Sequence, residues 1–109
     1  MEIRQRKKGS LIILDLSGDI KKPQGTNELD AQLCELVESG HKKIVLNMSK
    51  VGYLDSGTVG TIIATYKKIK DSGDLIIVEP SQEVFDIITL VGMDSIIKIY
   101  QSEEELEQG

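Results

Sequence analysis

Asp55-Ser56-Gly57-Thr58-Val59-Gly60 is the stretch of this chain whose residue types and spacing could do chemistry. A carboxylate and a hydroxyl stand side by side, directly before a segment of helical apolar periodicity. Gly57 and Gly60 let other backbone or a partner approach closely. Two roles fit. Asp or Ser in that place caps a helix by accepting its first free N–H groups. A serine hydroxyl at a helix start is also a good phosphoacceptor. A phosphate would add roughly −1.5 to −2 charges, and the positive end of the helix tolerates an anion. Phosphorylation would then spare the fold and change what the surface binds. Both roles can coexist on Ser56.

Catalysis by Ser56 would need a general base and an oxyanion hole. The single histidine, His41, sits in the Gly40-His41-Lys42-Lys43 turn before a strand and reads as a solvated loop residue. Asp55 alone is a poor base for a serine. The Gly57–Thr61 stretch is not a P-loop, because no Gly-Lys-Ser/Thr ending follows. A His/Cys cluster for a metal is lacking. Asp15, Asp19 and Asp55 could gather at one end of a sheet, but three separate carboxylates read as solvated. No metal, no cofactor and no intrinsic catalysis are expected, and a small serine hydrolase is the weakest reading.

The elements that must position Ser56 follow from the apolar pattern. Ile3–Arg6 is a weak first strand, and Gly9-Ser10 suits a tight hairpin into Leu11–Leu16, the better second strand. Pro23 makes Lys21–Gln24 a loop. Leu29, Leu33, Leu36 and Val37 recur at helical spacing, capped at Thr26 or Asn27 and ended by Gly40. Lys43–Met48 is a continuous apolar run, the mark of a strand covered on both faces. Val59, Ile62, Ile63, Tyr66 and Ile69 form one helical face, with Lys67, Lys68 and Lys70 outside it and Gly73 closing it. Leu75–Val78 is another buried strand. Ser81 caps a third helix with Val84, Ile87, Ile88 and Val91 on its face. Ile96–Tyr100 is a last strand. Ser102 with Glu105 makes a capping box for a short acidic helix over 102–109. Strand and helix alternate, which implies one α/β domain over 1–109 with a mixed, mostly parallel sheet of about five strands. In such sheets, functional groups gather where strands end and helices begin.

Composition narrows the partners. The chain has 109 residues, 39% apolar and 28% charged, enough for one folded domain with a modest core. A net charge of −5 argues against nucleic acid, whose binding depends on Lys and Arg meeting phosphates, and against docking on an anionic membrane. No uncharged apolar run exceeds Leu11–Leu14, far short of a ~20-residue span. Met1–Lys8 has no apolar stretch behind its charges, so it does not read as a signal peptide. One cysteine, Cys34, excludes an intramolecular disulfide, and partial burial without reactivity is expected for it. The cytosol is the expected location.

The segment Ile44–Ile77 resembles the signature of the STAS domain, specifically the bacterial anti-sigma factor antagonists. Val45-Leu46-Asn47, Tyr53-Leu54-Asp55-Ser56, Val59-Gly60 and Tyr66-Lys67 carry the resemblance. Gly18-Asp19-Ile20, Leu75–Val78 and Ile96–Tyr100 extend it over nearly the whole chain. It implies helices packed mainly on one side of a small mixed sheet. It further implies phosphorylation on Ser56 and a partner that is both an anti-sigma factor and a serine kinase using ATP. The unphosphorylated form would bind that kinase and free the sigma factor; phosphorylation would end binding, and a serine phosphatase would restore it. Asp19, Lys21, Asp55, Gly57, Thr58 and Gly60 would form the partner-binding edge. Two departures stand out. The family usually has Ser or Thr and then Gly after the acceptor, whereas here Gly57 precedes Thr58, so Thr58 could be a competing acceptor. Where the family commonly has an acidic residue near the phosphosite, this chain has Lys21 followed by Lys22, which could pair with a phosphoserine or change which kinase is recognised. The alternative within the family is a scaffold in a stress-signalling or ABC lipid-transport assembly, where docking matters more than phosphorylation.

Overall fold

A computed structural model describes residues 1–108 of the chain. Five strands form one sheet in the order β1-β2-β3-β4-β5. They are β1 (Glu2–Lys8), β2 (Leu11–Ser17), β3 (Lys43–Lys50), β4 (Asp74–Val78) and β5 (Lys98–Tyr100). The first pair is antiparallel and every later pair parallel. The crossovers are the helices α1 (Gln24–Glu38), α2 (Ser56–Ile69) and α3 (Gln82–Leu90). Parallel strands laid down in sequential order by same-handed crossovers receive their helices on one face. The core agrees. Ile12, Leu14 and Leu16 of β2, Ile44, Leu46 and Met48 of β3, and Leu75 and Ile77 of β4 alternate along their strands. They pack with Leu29 and Leu33 of α1, Ile62 of α2, and Val84 and Ile88 of α3. This is the expected α/β fold with a mixed sheet of five strands.

The departures have physical reasons. β1 is a full seven-residue strand despite little apolar content, because β2 offers it a complete antiparallel edge. Its charged residues suit an edge that must not recruit another chain. α1 begins at Gln24, earlier than a cap at Thr26 or Asn27 would place it, and no side chain caps it. Thr26 is buried and its hydroxyl is engaged elsewhere. Val91 is 51% exposed instead of lying on the inner face of α3, because the helix ends at Leu90 and the chain reverses at Gly92 with φ 78°. Ile96 is exposed as well. The chain leaves α3 through a 3-10 turn at Met93–Ser95, so β5 shortens to Lys98–Tyr100. Met48 and Met93 are fully buried core residues, as their type suggested.

The face of the sheet away from the helices carries a second, smaller core of Ile13, Val45 and Val78, fully buried, with Leu106 packed against it. That cover comes from the acidic end of the chain, which reads in sequence as a solvated helix. It is a 3-10 helix over Glu103–Gln108; Gly109 lies outside the described residues. Glu103 is its anchor. Arg6 bridges two carboxylates, Asp15 (Nε to Oδ2, 2.6 Å) and Glu103 (Nη2 to Oε2, 2.6 Å). Asn47, buried in β3, donates to Glu103 at 2.8 Å and to Glu79 at 3.2 Å. Hydrogen bonds from Arg6 and then from Asn47 hold the Glu103 carboxyl below its ordinary value. Replacing Glu103 by Ala removes a charged acceptor from the buried Asn47 amide and one of two carboxylates from half-exposed Arg6. The ion pair itself contributes less than about 1 kcal/mol at that exposure. With the hydrogen bond to Asn47 included, Glu103→Ala should destabilise the domain by about 1–2 kcal/mol. A lowered urea midpoint would register it, and an unchanged midpoint would mean that the acidic end does not hold the sheet.

Candidate functional site

The site is built by two loops at the carboxyl ends of β2 and β3. Ladder pairing between these strands shifts register between Asp15 and Ser17 and then continues into the loops. Gly18 N–H donates to the Lys50 carbonyl (3.0 Å), Ile20 N–H to the Tyr53 carbonyl (2.9 Å), and Asp55 N–H to the Ile20 carbonyl (3.2 Å). Ile20 and Leu54 form a single parallel bridge, and both side chains are buried. The apolar residue in each loop therefore pins it to the core, while the polar residues on either side stay at the surface. The loop over residues 19–22 is thereby laid alongside the loop over 52–55, with Asp19 near Gly52 and Lys22 on Asp55.

Asp55 is the N-cap of α2, with an extended backbone (φ −86°, ψ 172°). Its Oδ1 accepts from the Thr58 N–H at 2.8 Å and from the Thr58 hydroxyl at 2.8 Å. Its Oδ2 accepts from the Lys22 N–H at 2.7 Å. The Thr26 hydroxyl of α1 lies 2.8 Å from that of Thr58, which also reaches the Ile20 carbonyl at 3.0 Å. Each hydroxyl has one proton. The short contacts are met when Thr26 donates to Thr58 and Thr58 donates to Asp55 or Ile20. These donors favour the carboxylate. The Lys22 N–H, followed by the Thr58 hydroxyl and N–H, lowers the Asp55 pKa from 3.8 to about 2.

Ser56 is the first residue of α2 and is exposed. Among the described residues nothing hydrogen-bonds its hydroxyl. The cap is Asp55 alone, so the capping role expected for Ser56 falls away. Thr58 is 0% exposed, so its hydroxyl offers no competing acceptor at the surface; it lies beneath the start of α2. Gly57 is partly covered and Gly60 open. Asp19 is exposed, with Oδ1 3.1 Å from where a Cβ on Gly52 would lie. Thr26, which reads in sequence only as a cap candidate, and Lys22, which reads only as the neighbour of Lys21, both belong to the site. Tyr53, 46% exposed, was visible only as part of the stretch before Asp55. Among the described residues no group of three His, Cys, Asp or Glu could hold a metal ion, and Asp15 is taken up by Arg6 on the other face. No helix among them is long and apolar enough to cross a membrane.

The Asp55 titration has a definite sign. The folded value is below the unfolded one, so the carboxylate stabilises the fold at pH above about 4. That contribution fades as pH falls from about 4 towards about 2. Asp55→Ala removes the cap and the tie to Lys22 and should cost about 1–2 kcal/mol at neutral pH. Asp55→Asn should cost less and flatten the loss of stability between pH 4 and 2. Urea unfolding across that range would show it; parallel pH profiles for parent and Asn variant would contradict the assigned role.

A family model for the STAS domain matches residues 2–106. A Thermotoga maritima protein whose name carries the words anti-sigma factor antagonist is 35% identical over 72 residues. The alignment takes in 65% of this chain and 64% of that protein, a little under two thirds of its length. A crystal structure of a Thermotoga maritima protein with those words in its title superposes with TM-score 0.89 at 25% identity, covering 97% of this chain and 92% of the other. The anti-sigma factor antagonist SpoIIAA in its unphosphorylated form shares the fold, with TM-score 0.75 at 15% identity over 97% of this chain and 94% of its own. The sheet order, the helices on one face, the Asp-Ser start of α2 and the family match over 2–106 agree, and the chain belongs to the STAS domain family.

Proposed function

We propose that this protein is an anti-sigma factor antagonist that works by partner switching on Ser56. Unphosphorylated, it binds an anti-sigma factor that is also a serine kinase, and the sigma factor is released. The kinase transfers the γ-phosphate of ATP to Ser56. The Oγ–P bond forms, the bond from Pγ to the bridging oxygen breaks, ADP leaves, and the hydroxyl proton passes to a base on the kinase. The phosphorylated form no longer binds, and a serine phosphatase restores it. In this reading the chain is a substrate and a binder, works in the cytosol, and takes no cofactor of its own.

The observation that carries the reading is the division of labour at the start of α2. Asp55 holds the helix, while the Ser56 hydroxyl is exposed and unengaged. A phosphate there adds roughly −1.5 to −2 charges to a surface whose fold does not use the modified oxygen. Asp19, Lys21, Gly57 and Gly60 surround it as the docking edge, with Thr58 and Asp55 supporting that edge from below. A partner shaped to a neutral serine followed by two glycines would face uncompensated charge at close quarters. The relatives named above as anti-sigma factor antagonists support the partner class. SpoIIAA, whose structure is also known in a phosphorylated form, supports the mode of control.

Intact mass and site mapping after incubation with ATP and the cognate kinase should show one phosphate on Ser56, none on Thr58, and none in Ser56→Ala. Binding to the kinase should weaken at least tenfold in Ser56→Asp, measured by calorimetry. Kinase binding without any phosphate transfer would leave docking as the function and remove the switch.

A further inference from the structure

Gly57 departs from the family pattern, and Lys22 follows the departing Lys21; far apart in sequence, the two meet in space. A Cβ at position 57 would overlap Cε of Lys22 and stand 3.1 Å from both its Cδ and its Nζ. The Lys22 side chain therefore lies across the first turn of α2 in the room that the glycine leaves. Its backbone N–H is fixed on Asp55 Oδ2, which holds the stem of the side chain in place. Among the described residues its ammonium has no hydrogen-bond or ion-pair partner. A lysine folded over a helix start, where the dipole is positive, gains nothing from that end. An unpaired cation there, next to an exposed serine, lacks only an anion.

Resting on the reading of Ser56 as the phosphoacceptor, we propose that Lys22 is the built-in counter-ion of phosphorylated Ser56, seated against it by the missing side chain of Gly57. The charge groups around the acceptor are then sorted. Asp55 is occupied by Lys22 N–H and Thr58, Asp19 stands over Gly52, and Lys21 is exposed on the same loop. Lys22, exposed as well, is the lysine whose side chain lies over Gly57 in the turn that carries the acceptor. The phosphate would be held on the surface of α2 as a local ion pair, and a phosphatase would have to displace the lysine to reach it.

The test installs phosphoserine at position 56 during translation and follows its 31P chemical shift from pH 4.5 to 8 in the full chain. Phosphoserine ordinarily loses its second proton near pH ~6. A neighbouring ammonium favours the dianion. The midpoint in the parent should lie about 0.3–0.6 pH unit below that of Lys22→Gln, a two- to fourfold change in proton affinity, and the gap should shrink in 1 M salt. Lys22→Gln keeps the backbone N–H that Asp55 needs. Gly57→Ser supplies the Cβ that evicts the lysine and should titrate like Lys22→Gln, while Lys21→Gln should titrate like the parent. Equal midpoints in parent and Lys22→Gln overturn the proposal, as does a shift lost in Lys21→Gln instead. A shift kept in Gly57→Ser overturns the seat. Because no kinase is involved, these outcomes are separate from failure of a kinase to modify Ser56, which counts against the switch itself.

Discussion

The start of α2 depends on one ionised carboxylate. Asp55 accepts from the helix it caps, through Thr58 N–H, and from the loop after β2, through Lys22 N–H; the Thr26 hydroxyl of α1 adds a longer contact at 3.4 Å. Hydrogen bonds to a charged acceptor are the stronger kind, and several on one group hold it ionised. That single group therefore joins two helix starts and a loop, alongside the Thr26–Thr58 hydroxyl contact and the backbone bonds around Ile20. Ser56 stands next to it and takes no part. Had the serine been the cap, adding a phosphate would have altered the group that holds the helix.

The sheet order makes this junction possible. Sequential parallel strands set α1 and α2 side by side on one face, with both amino ends over the carboxyl edge of the sheet. Two buried hydroxyls, Thr26 and Thr58, then meet at 2.8 Å where larger apolar side chains would keep the helix starts apart. Gly25 fits the same requirement: a Cβ there would sit 3.3 Å from the Ile20 backbone. Buried polar groups are costly unless every one is satisfied, and among the described residues no buried side-chain polar atom lacks a partner. The close approach is thus achieved with small and hydroxyl residues.

Most of the elements could be read from the chain because their signals are local. Continuous apolar runs at Lys43–Met48 and Leu75–Val78, helical spacing from Val59 to Ile69, and Asp-Ser before it all lie within a few residues of what they specify. What could not be read is carried by partners far apart in sequence. Thr26 looks like a cap until it is seen bonded to Thr58, 32 residues on. Glu103 looks solvated because its neighbours are acidic, and only Arg6, 97 residues away, shows otherwise. Val91 and Ile96 continue their patterns, but the chain reverses between them and leaves both outside. Gly57 is legible as a departure and Lys22 as the neighbour of one; that the lysine occupies the space the glycine leaves needed the fold.

A phosphate on Ser56 would place two anions on adjacent residues, and magnitudes decide whether the cap survives. A dianion on the order of 6 Å from Asp55 repels it by about 1.4 kcal/mol in a water-like medium and about twice that at half the dielectric constant. That raises a carboxyl pKa by roughly one to two units. Starting from about 2, Asp55 remains ionised by a wide margin at neutral pH. It goes on accepting from Thr58 and Lys22, and the positive end of α2 offsets part of the repulsion. The same phosphate on a surface whose carboxylate began near 6 would have forced protonation and loosened the helix start. The low pKa of Asp55 thus widens the margin by which the cap would survive a charge added beside it.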